Sequence, residues 1–162
     1  MIGAISNPKK SITIDFPIDK VKIGVERVDK LSSKYKFTKS NQIFNQTTFE
    51  ATEFLSIGVY IDVNLSVITE NKTEITIEIR RKVGAFDQSH EVTKANEHIE
   101  NLIELISKGI SLTEVQFNDF LETEKNELII KKKKKSKRRL IIWGIILFII
   151  FLMSKWSPFY TK

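Results

Sequence analysis

The length, composition and cysteine content of the chain exclude several classes of protein. Its 162 residues are enough for one modest domain with an appendage. A hydrophobic fraction of 41% and a charged fraction of 28% are typical of a folded chain rather than a disordered or collagen-like one. Because the chain has no cysteine, it has no disulfide, thiolate metal site or cysteine nucleophile.

The net charge of +6 conceals a division of charge near residue 130. Residues 1–130 hold 16 basic and 20 acidic side chains, a net charge of 16 − 20 = −4. The remaining residues hold 26 − 16 = 10 basic side chains and no acidic one. A nucleic-acid-binding domain usually carries its positive charge on the folded body, so we expect no nucleic-acid partner.

The first predicted elements are a strand and a helix. Residues 11–16 alternate apolar and polar side chains, which predicts a half-buried strand. Pro17 ends this strand and suits the first turn of a helix, which we expect from Ile18 to Lys34. One face of this helix is apolar and should point to the core: Ile18, Val21, Val25, Val28 and Leu31.

The middle of the chain is predicted to form antiparallel strands. A short strand at 35–38 and a second at 42–51 are separated by a turn at 39–41, and the second is polar enough to lie near an edge. Residues 59–67 and 74–80 alternate more clearly, and the short connection between them predicts a hairpin with one apolar and one polar face.

Two helices are predicted after the strands. The first should begin at Ser89, a favourable N-cap, and end before Gly109, which suits a C-terminal cap. His90 and His98 lie eight residues apart on it, so they do not form a metal-chelating pair, and we expect them at the surface or the cap. The next helix should begin at the capping box of residues 111–114.

This order of elements predicts an α+β domain over residues 11–109, with an antiparallel sheet and helices on one face. Four segments resemble the small bacterial helix-grip domains, also called TATA-binding-protein-like: ITIDFPIDKV at 12–21, LSIGVYIDVNL at 55–65, TEITIEIRRKVGAFDQ at 73–88 and NEHIENLIELI at 96–106. The segment 102–129 also resembles a short helical hairpin of bacterial proteins, which implies an oligomerisation or interaction element.

A helix gripped by a sheet can leave an apolar cavity between the layers. Five aromatic residues are candidates to line it, although such residues are also typical of a core: Phe44, Phe49, Phe54, Tyr60 and Phe86. No loop matches a nucleophile elbow, and no serine has a histidine–acid pair that the sequence indicates. We therefore expect a non-catalytic protein without a metal or another cofactor.

The C-terminal region is predicted to cross a membrane. Residues 140–153 contain no polar side chain, and a span counted over 140–159 is long enough for a thin bilayer. A buried core helix and an in-plane surface helix are the alternatives. Four residues should anchor the span at its interfaces with water: Trp143, Lys155, Trp156 and Tyr160.

A basic tract precedes the apolar run. Its charges are typical of a cytoplasmic flank and should also attract anionic lipid headgroups. A nucleic-acid patch is the alternative, but the tract has no interleaved aromatic residue. The eight basic residues are Lys131, Lys132, Lys133, Lys134, Lys135, Lys137, Arg138 and Arg139.

We therefore expect a single-pass protein with a cytoplasmic N-terminal domain, and the bacterial resemblance implies the inner membrane. The expected segments are a tail (1–10), the α+β domain (11–109), a helical connector (110–130), the basic tract (131–139), the membrane helix (140–159) and a C-terminal tail (160–162). The domain is interpreted as an interaction or scaffolding module with a protein partner or a second copy. The alternative is a lipid-binding or small apolar-ligand-binding domain held at the membrane.

Overall fold

The computed structural model describes residues 6–52, 58–84, 86, 89–127, 129–130, 143–144, 147 and 149. In chain order its elements are β1 (Lys9–Ile14), α1 (Ile18–Glu26), α2 (Val28–Leu31), β2 (Tyr35–Asn41), β3 (Gln46–Ala51), β4 (Val59–Thr69), β5 (Lys72–Arg81) and α3 (Ser89–Ser111). A further helical stretch covers 114–127. The chain divides into two compact units, Met1–Phe117 and Asn118–Lys162.

The five strands form one antiparallel sheet in the order β1-β5-β4-β3-β2. The predicted hairpin is confirmed, since β4 pairs with β5 so that Ile61 faces Ile79 and Val63 faces Ile77. Alternation sends these side chains to one face of the sheet and their neighbours to the other. The structure thus confirms the predicted α+β class.

The apolar face of the sheet packs against α1, α2 and α3 in a single core. The predicted apolar face of the first helix is confirmed, because Val21, Val25 and Val28 are buried in this core. Each such side chain contributes roughly 1.5–3 kcal/mol when it leaves water completely. The sheet, Phe86 and α3 supply the rest of the core: Tyr35, Phe49, Ala51, Ile61, Val63, Leu65, Ile75, Ile77, Ile79, Phe86, Ala95, Ile99, Leu102, Ile106 and Ile110.

The first helix is shorter than predicted and is interrupted. The structure shows α1 ending at Glu26 and the single turn of α2 ending at Leu31, where Ser32 adopts an extended backbone. The prediction of one helix to Lys34 is therefore wrong. The apolar spacing continues across the break into α2, so the sequence pattern could not reveal it.

The first turn of the sheet lies later than predicted. Strand β2 continues through Asn41, and the turn falls at 42–45, with Asn45 at a φ of 47°. The side-chain oxygen of Asn41 accepts bonds from the backbone N–H groups of Ile43 and Phe44, so it organises the turn that follows it. Strand β3 lies between β2 and β4, and β2 rather than β3 is the edge.

Gly109 does not end α3, which runs to Ser111. This glycine instead packs against α1, and an added Cβ would lie 2.8 Å from the carbonyl oxygen of Gly24.

The predicted capping box is displaced by two residues. The hydroxyl of Thr113 accepts from the Gln116 N–H at 3.3 Å, and the Gln116 side chain accepts from the Thr113 N–H at 3.0 Å.

The predicted membrane segment falls mostly outside the described residues. The basic tract 131–139 and the anchors Lys155, Trp156 and Tyr160 lie there, whereas Trp143 is described and helical. None of the helices among the described residues is both long and apolar enough to span a bilayer. The membrane anchor remains a prediction.

Candidate functional site

A pocket opens between the first turns of α3 and the end of the sheet where β3 and β5 finish and β4 begins. Its volume is about 130 Å³. Its lining combines apolar, basic and acidic side chains: Ala51, Gly58, Val59, Arg81, Phe86, His90, Glu91, Lys94, Ala95 and His98.

The regular geometry of β5 and α3 brings the polar residues together. Arg81 pairs with Val59 and continues the inward-facing series of β5, which is isoleucine at positions 75, 77 and 79. On α3, Glu91, Lys94 and His98 are three or four residues apart, so they share one helical face. The strand and the helix therefore place a guanidinium and an imidazole on the two walls of one pocket.

Ion pairs hold the charged groups at the mouth. The guanidinium of Arg81 lies 3.2 Å from the carboxylate of Glu91. Lys94 donates to Glu97 at 2.7 Å, and this hydrogen bond lowers the pKa of the Glu97 carboxyl. The pocket also lies at the N-terminal end of α3, where the helix dipole is positive. The pocket lining therefore carries both basic and acidic side chains, at a helix end whose dipole adds a positive potential.

His98 lies deeper than the sequence suggested. It is buried, and its Nδ1 shares a hydrogen bond of 3.3 Å with the hydroxyl of Tyr35. The two rings meet edge to face with centroids 5.8 Å apart. The expectation of a surface or cap position is wrong for His98, because β2 supplies a polar partner that a sequence pattern does not show.

The five aromatic residues that were predicted to line one cavity do not lie together in the structure. Phe86 and Phe49 are both buried in the core, and of the two only Phe86 lines the pocket. Tyr60 points to the opposite face of the sheet, where Arg80 and Lys82 lie over its ring. Phe44 is 70% exposed in the β2–β3 turn, and Phe54 falls outside the described residues.

The pocket's polar residues were not among the predicted site residues. One signal was present in the sequence, because the inward alternation at 75, 77 and 79 continues to a charged residue at 81. An arginine at an inward position needs a local partner or a ligand. Glu91 and Lys94 gave no comparable signal, since charged residues are ordinary on a helix.

A second polar cluster lies on the outer face of the sheet. Asp62, whose side chain is 8% exposed, accepts bonds from Thr48 at 2.7 Å and from Arg80 at 2.6 Å. Burial raises the pKa of Asp62, but these hydrogen bonds and the positive charges of Arg80 and Lys39 outweigh it, so the pKa is lowered. The cluster is internally neutralised and holds strands β3, β4 and β5 together.

Among the residues that the structure describes, no group of three histidine, aspartate or glutamate side chains is placed to hold a metal ion. The ionisable side chains that line the pocket are Arg81, His90, Glu91, Lys94 and His98.

No family model and no curated protein matches the chain. Solved structures similar to it include the Bacillus halodurans protein BH1534, at 15% identity over 67% of this chain and 99% of that chain, with a TM-score of 0.48. CalU16 from Micromonospora echinospora is 10% identical, over 70% and 81%, with a TM-score of 0.47. Ara h 8.0201 is 11% identical, over 65% and 97%, with a TM-score of 0.45. At these scores the similarities carry no inference about function.

Proposed function

We propose that this chain is a non-catalytic binding protein, anchored in a membrane by its C-terminal region, whose α+β domain binds a small anion in the pocket between the sheet and α3. The observation that supports it is the position of Arg81. This residue follows three inward-facing isoleucines of β5 and lines a pocket together with Lys94 and His98.

The size of the pocket favours a small ligand over a lipid. Sites for drug-sized molecules enclose roughly 300–1,000 Å³. The described pocket, at about 130 Å³, has room for a few groups the size of a carboxylate or a phosphate. The interior between the layers is filled by core side chains, so the alternative of an apolar ligand or lipid held there has less support.

The pocket's chemistry favours a carboxylate or a phosphate. A guanidinium presents a planar fork of donors that matches both groups, and charge-assisted bonds of this kind are stronger than neutral ones. Glu91 holds the guanidinium of Arg81 in place at 3.2 Å. A ligand that enters the pocket therefore meets an oriented donor rather than a mobile side chain.

The test is ligand-dependent thermal stability of the full chain in detergent. Inorganic phosphate, acetate and citrate are compared with glycerol, at constant ionic strength. We expect at least one anion to raise the Tm of the wild type and to lose this effect in Arg81→Met. Lys108→Met, on α3 but outside the pocket, is the control and should respond as the wild type does. Equal responses of Arg81→Met and the wild type contradict the proposal.

An interaction module is the second candidate, and the edge strand β2 favours it. All of β2 except Tyr35 is exposed, and an edge strand can pair with a strand of another chain. Sedimentation of the full chain in detergent tests a second copy as the partner. Phe37→Lys, at an exposed position of β2, should then abolish a dimer that Val115→Lys preserves. A monomeric wild type contradicts self-association.

A further inference from the structure

Four large apolar side chains project at the end of the sheet opposite the pocket. Ile43 is 86% exposed and Phe44 is 70% exposed in the β2–β3 turn. Val67 and Ile68, near the end of β4, are 59% and 51% exposed. We call Ile43, Phe44, Val67 and Ile68 the apolar tip.

The strand register brings the two halves of the apolar tip side by side. Gln46 pairs with Asn64, and the backbone N–H of Leu65 donates to the carbonyl oxygen of Asn45 at 3.1 Å. The β2–β3 turn therefore lies beside the last part of β4. Neighbouring strands are about 4.8 Å apart, so the two segments that carry the exposed side chains lie at the same end of the sheet.

The segments that carry the apolar tip contain no charged residue. Residues 40–49 and residues 63–69 are uncharged, although 28% of the whole chain is charged. The polar residues between the apolar ones are asparagine, glutamine, serine and threonine. These neutral groups can bond to headgroups and interfacial water, whereas a charged side chain opposes entry into a bilayer.

We infer that the apolar tip inserts into the headgroup region of a lipid bilayer. Exposed aliphatic and aromatic side chains on one turn and near the end of one strand suit a soft lipid surface, which needs no matching groove. This inference rests on the proposed anchor, which keeps the domain near lipid because residues 118–130 span at most roughly 45 Å. A protein partner, including a second copy, is the competing occupant and is distinguished by the test.

The test uses the absence of native cysteines to place one fluorophore at a chosen position. Phe44→Cys and Val67→Cys in the full chain are labelled with an environment-sensitive dye and reconstituted into vesicles of phosphatidylcholine and phosphatidylglycerol. We expect a blue-shifted, several-fold brighter emission than in detergent, with quenching by spin-labelled lipids. Val83→Cys, 60% exposed beyond the other end of β5, is the matched control and should show neither change.

A second pair of variants tests whether the tip itself causes the change. The dye at position 67 should lose its shift when Ile43 and Phe44 are both changed to Asp, and should keep it in Val83→Asp. Identical behaviour at positions 44, 67 and 83 overturns the inference. So does an emission change in detergent that depends on protein concentration, which points to a second copy.

Vesicle flotation separates failure of this inference from failure of the anchor. If the chain floats with vesicles but the dyes at the apolar tip remain in water, the anchor is retained and only tip insertion is refuted. A chain that does not float refutes the anchor and, with it, the basis of tip insertion.

Discussion

Two glycines set the distance between α1 and α3. A Cβ added to Gly109 would lie 2.8 Å from the carbonyl oxygen of Gly24 and 3.0 Å from its Cα. The neighbouring atoms belong to the backbone, so no side-chain movement can relieve the contact. The two helices are closer at this point than any larger residue permits.

Gly109→Ala is therefore expected to lower the stability of the domain. Overpacking costs about 1–3 kcal/mol, which exceeds the roughly 1 kcal/mol that alanine gains over glycine in a helix. Thermal unfolding in detergent, followed by circular dichroism, measures the change in Tm. Ser107→Ala, exposed on the same helix, is the control and should leave the Tm nearly unchanged. A Gly109→Ala variant as stable as this control contradicts the close contact.

The buried carboxylate of Asp62 makes stability depend on pH. Its pKa is lowered in the folded state, so its stabilising effect is present above the ordinary value of about 3.9 and is lost as the pH falls through the lower folded value. Asp62→Asn should cost on the order of 1–3 kcal/mol at neutral pH. Denaturant unfolding from neutral pH to about pH 2 should show this difference shrinking. A difference that stays constant over that range contradicts the role of the charge.

At the scale of elements, Arg27 joins the α1–α2 junction to the segment after α3. Its side chain is 7% exposed and donates to the carbonyl oxygens of Gly109 at 2.8 Å and Leu112 at 2.7 Å. The guanidinium also contacts the carboxylate of Glu114 and lies 4.4 Å from the ring centroid of Phe117. One cation thus satisfies carbonyls at the end of α3 that the helix leaves open.

Arg27→Met should release this segment from the domain. Hydrogen bonds from a charged donor contribute about 1.5–3 kcal/mol each, so a loss of roughly 2 kcal/mol or more is expected. Hydrogen exchange of the 112–117 amides should accelerate in this variant. Glu114→Gln is the control, because the Glu114 side chain is 76% exposed and surface ion pairs contribute about 1 kcal/mol or less. Equal effects of the two substitutions refute the role of the buried carbonyl contacts.

The sequence predicted those elements whose signals are local. Alternation along 59–67 gave the β4–β5 hairpin, and helical spacing gave the buried face of α1. Contacts between distant residues could not be seen: Gly109 looked like a cap because its partner Gly24 is far away in sequence. His98 looked like a surface residue for the same reason, since Tyr35 lies on β2. The pocket depends on such distant pairs, so less of it than of the fold was predictable.

At the scale of the whole molecule, the proposed anchor makes membrane attachment depend on residues 140–159. Changing Ile145, Ile146 and Phe148 to Asp should release the protein into the soluble fraction, because each central charge costs about 2.5–3.5 kcal/mol on insertion. Carbonate extraction of membranes measures this. Val83→Asp with Val115→Asp adds charge at exposed positions outside the segment and should leave the protein in the pellet. Carbonate-resistant attachment of the triple variant refutes the anchor.

The pocket and the apolar tip lie at opposite ends of β4. Val59 lines the pocket and Val67 belongs to the tip, and the strand between them spans roughly 26 Å. This distance exceeds the Debye length of about 8 Å at physiological salt. An anionic lipid surface depletes anions only within a few Debye lengths. When the domain is docked by its tip, its pocket is therefore surrounded by solution with nearly the bulk anion concentration. The length of β4 would therefore let the proposed anion site work beside a membrane that repels its ligand.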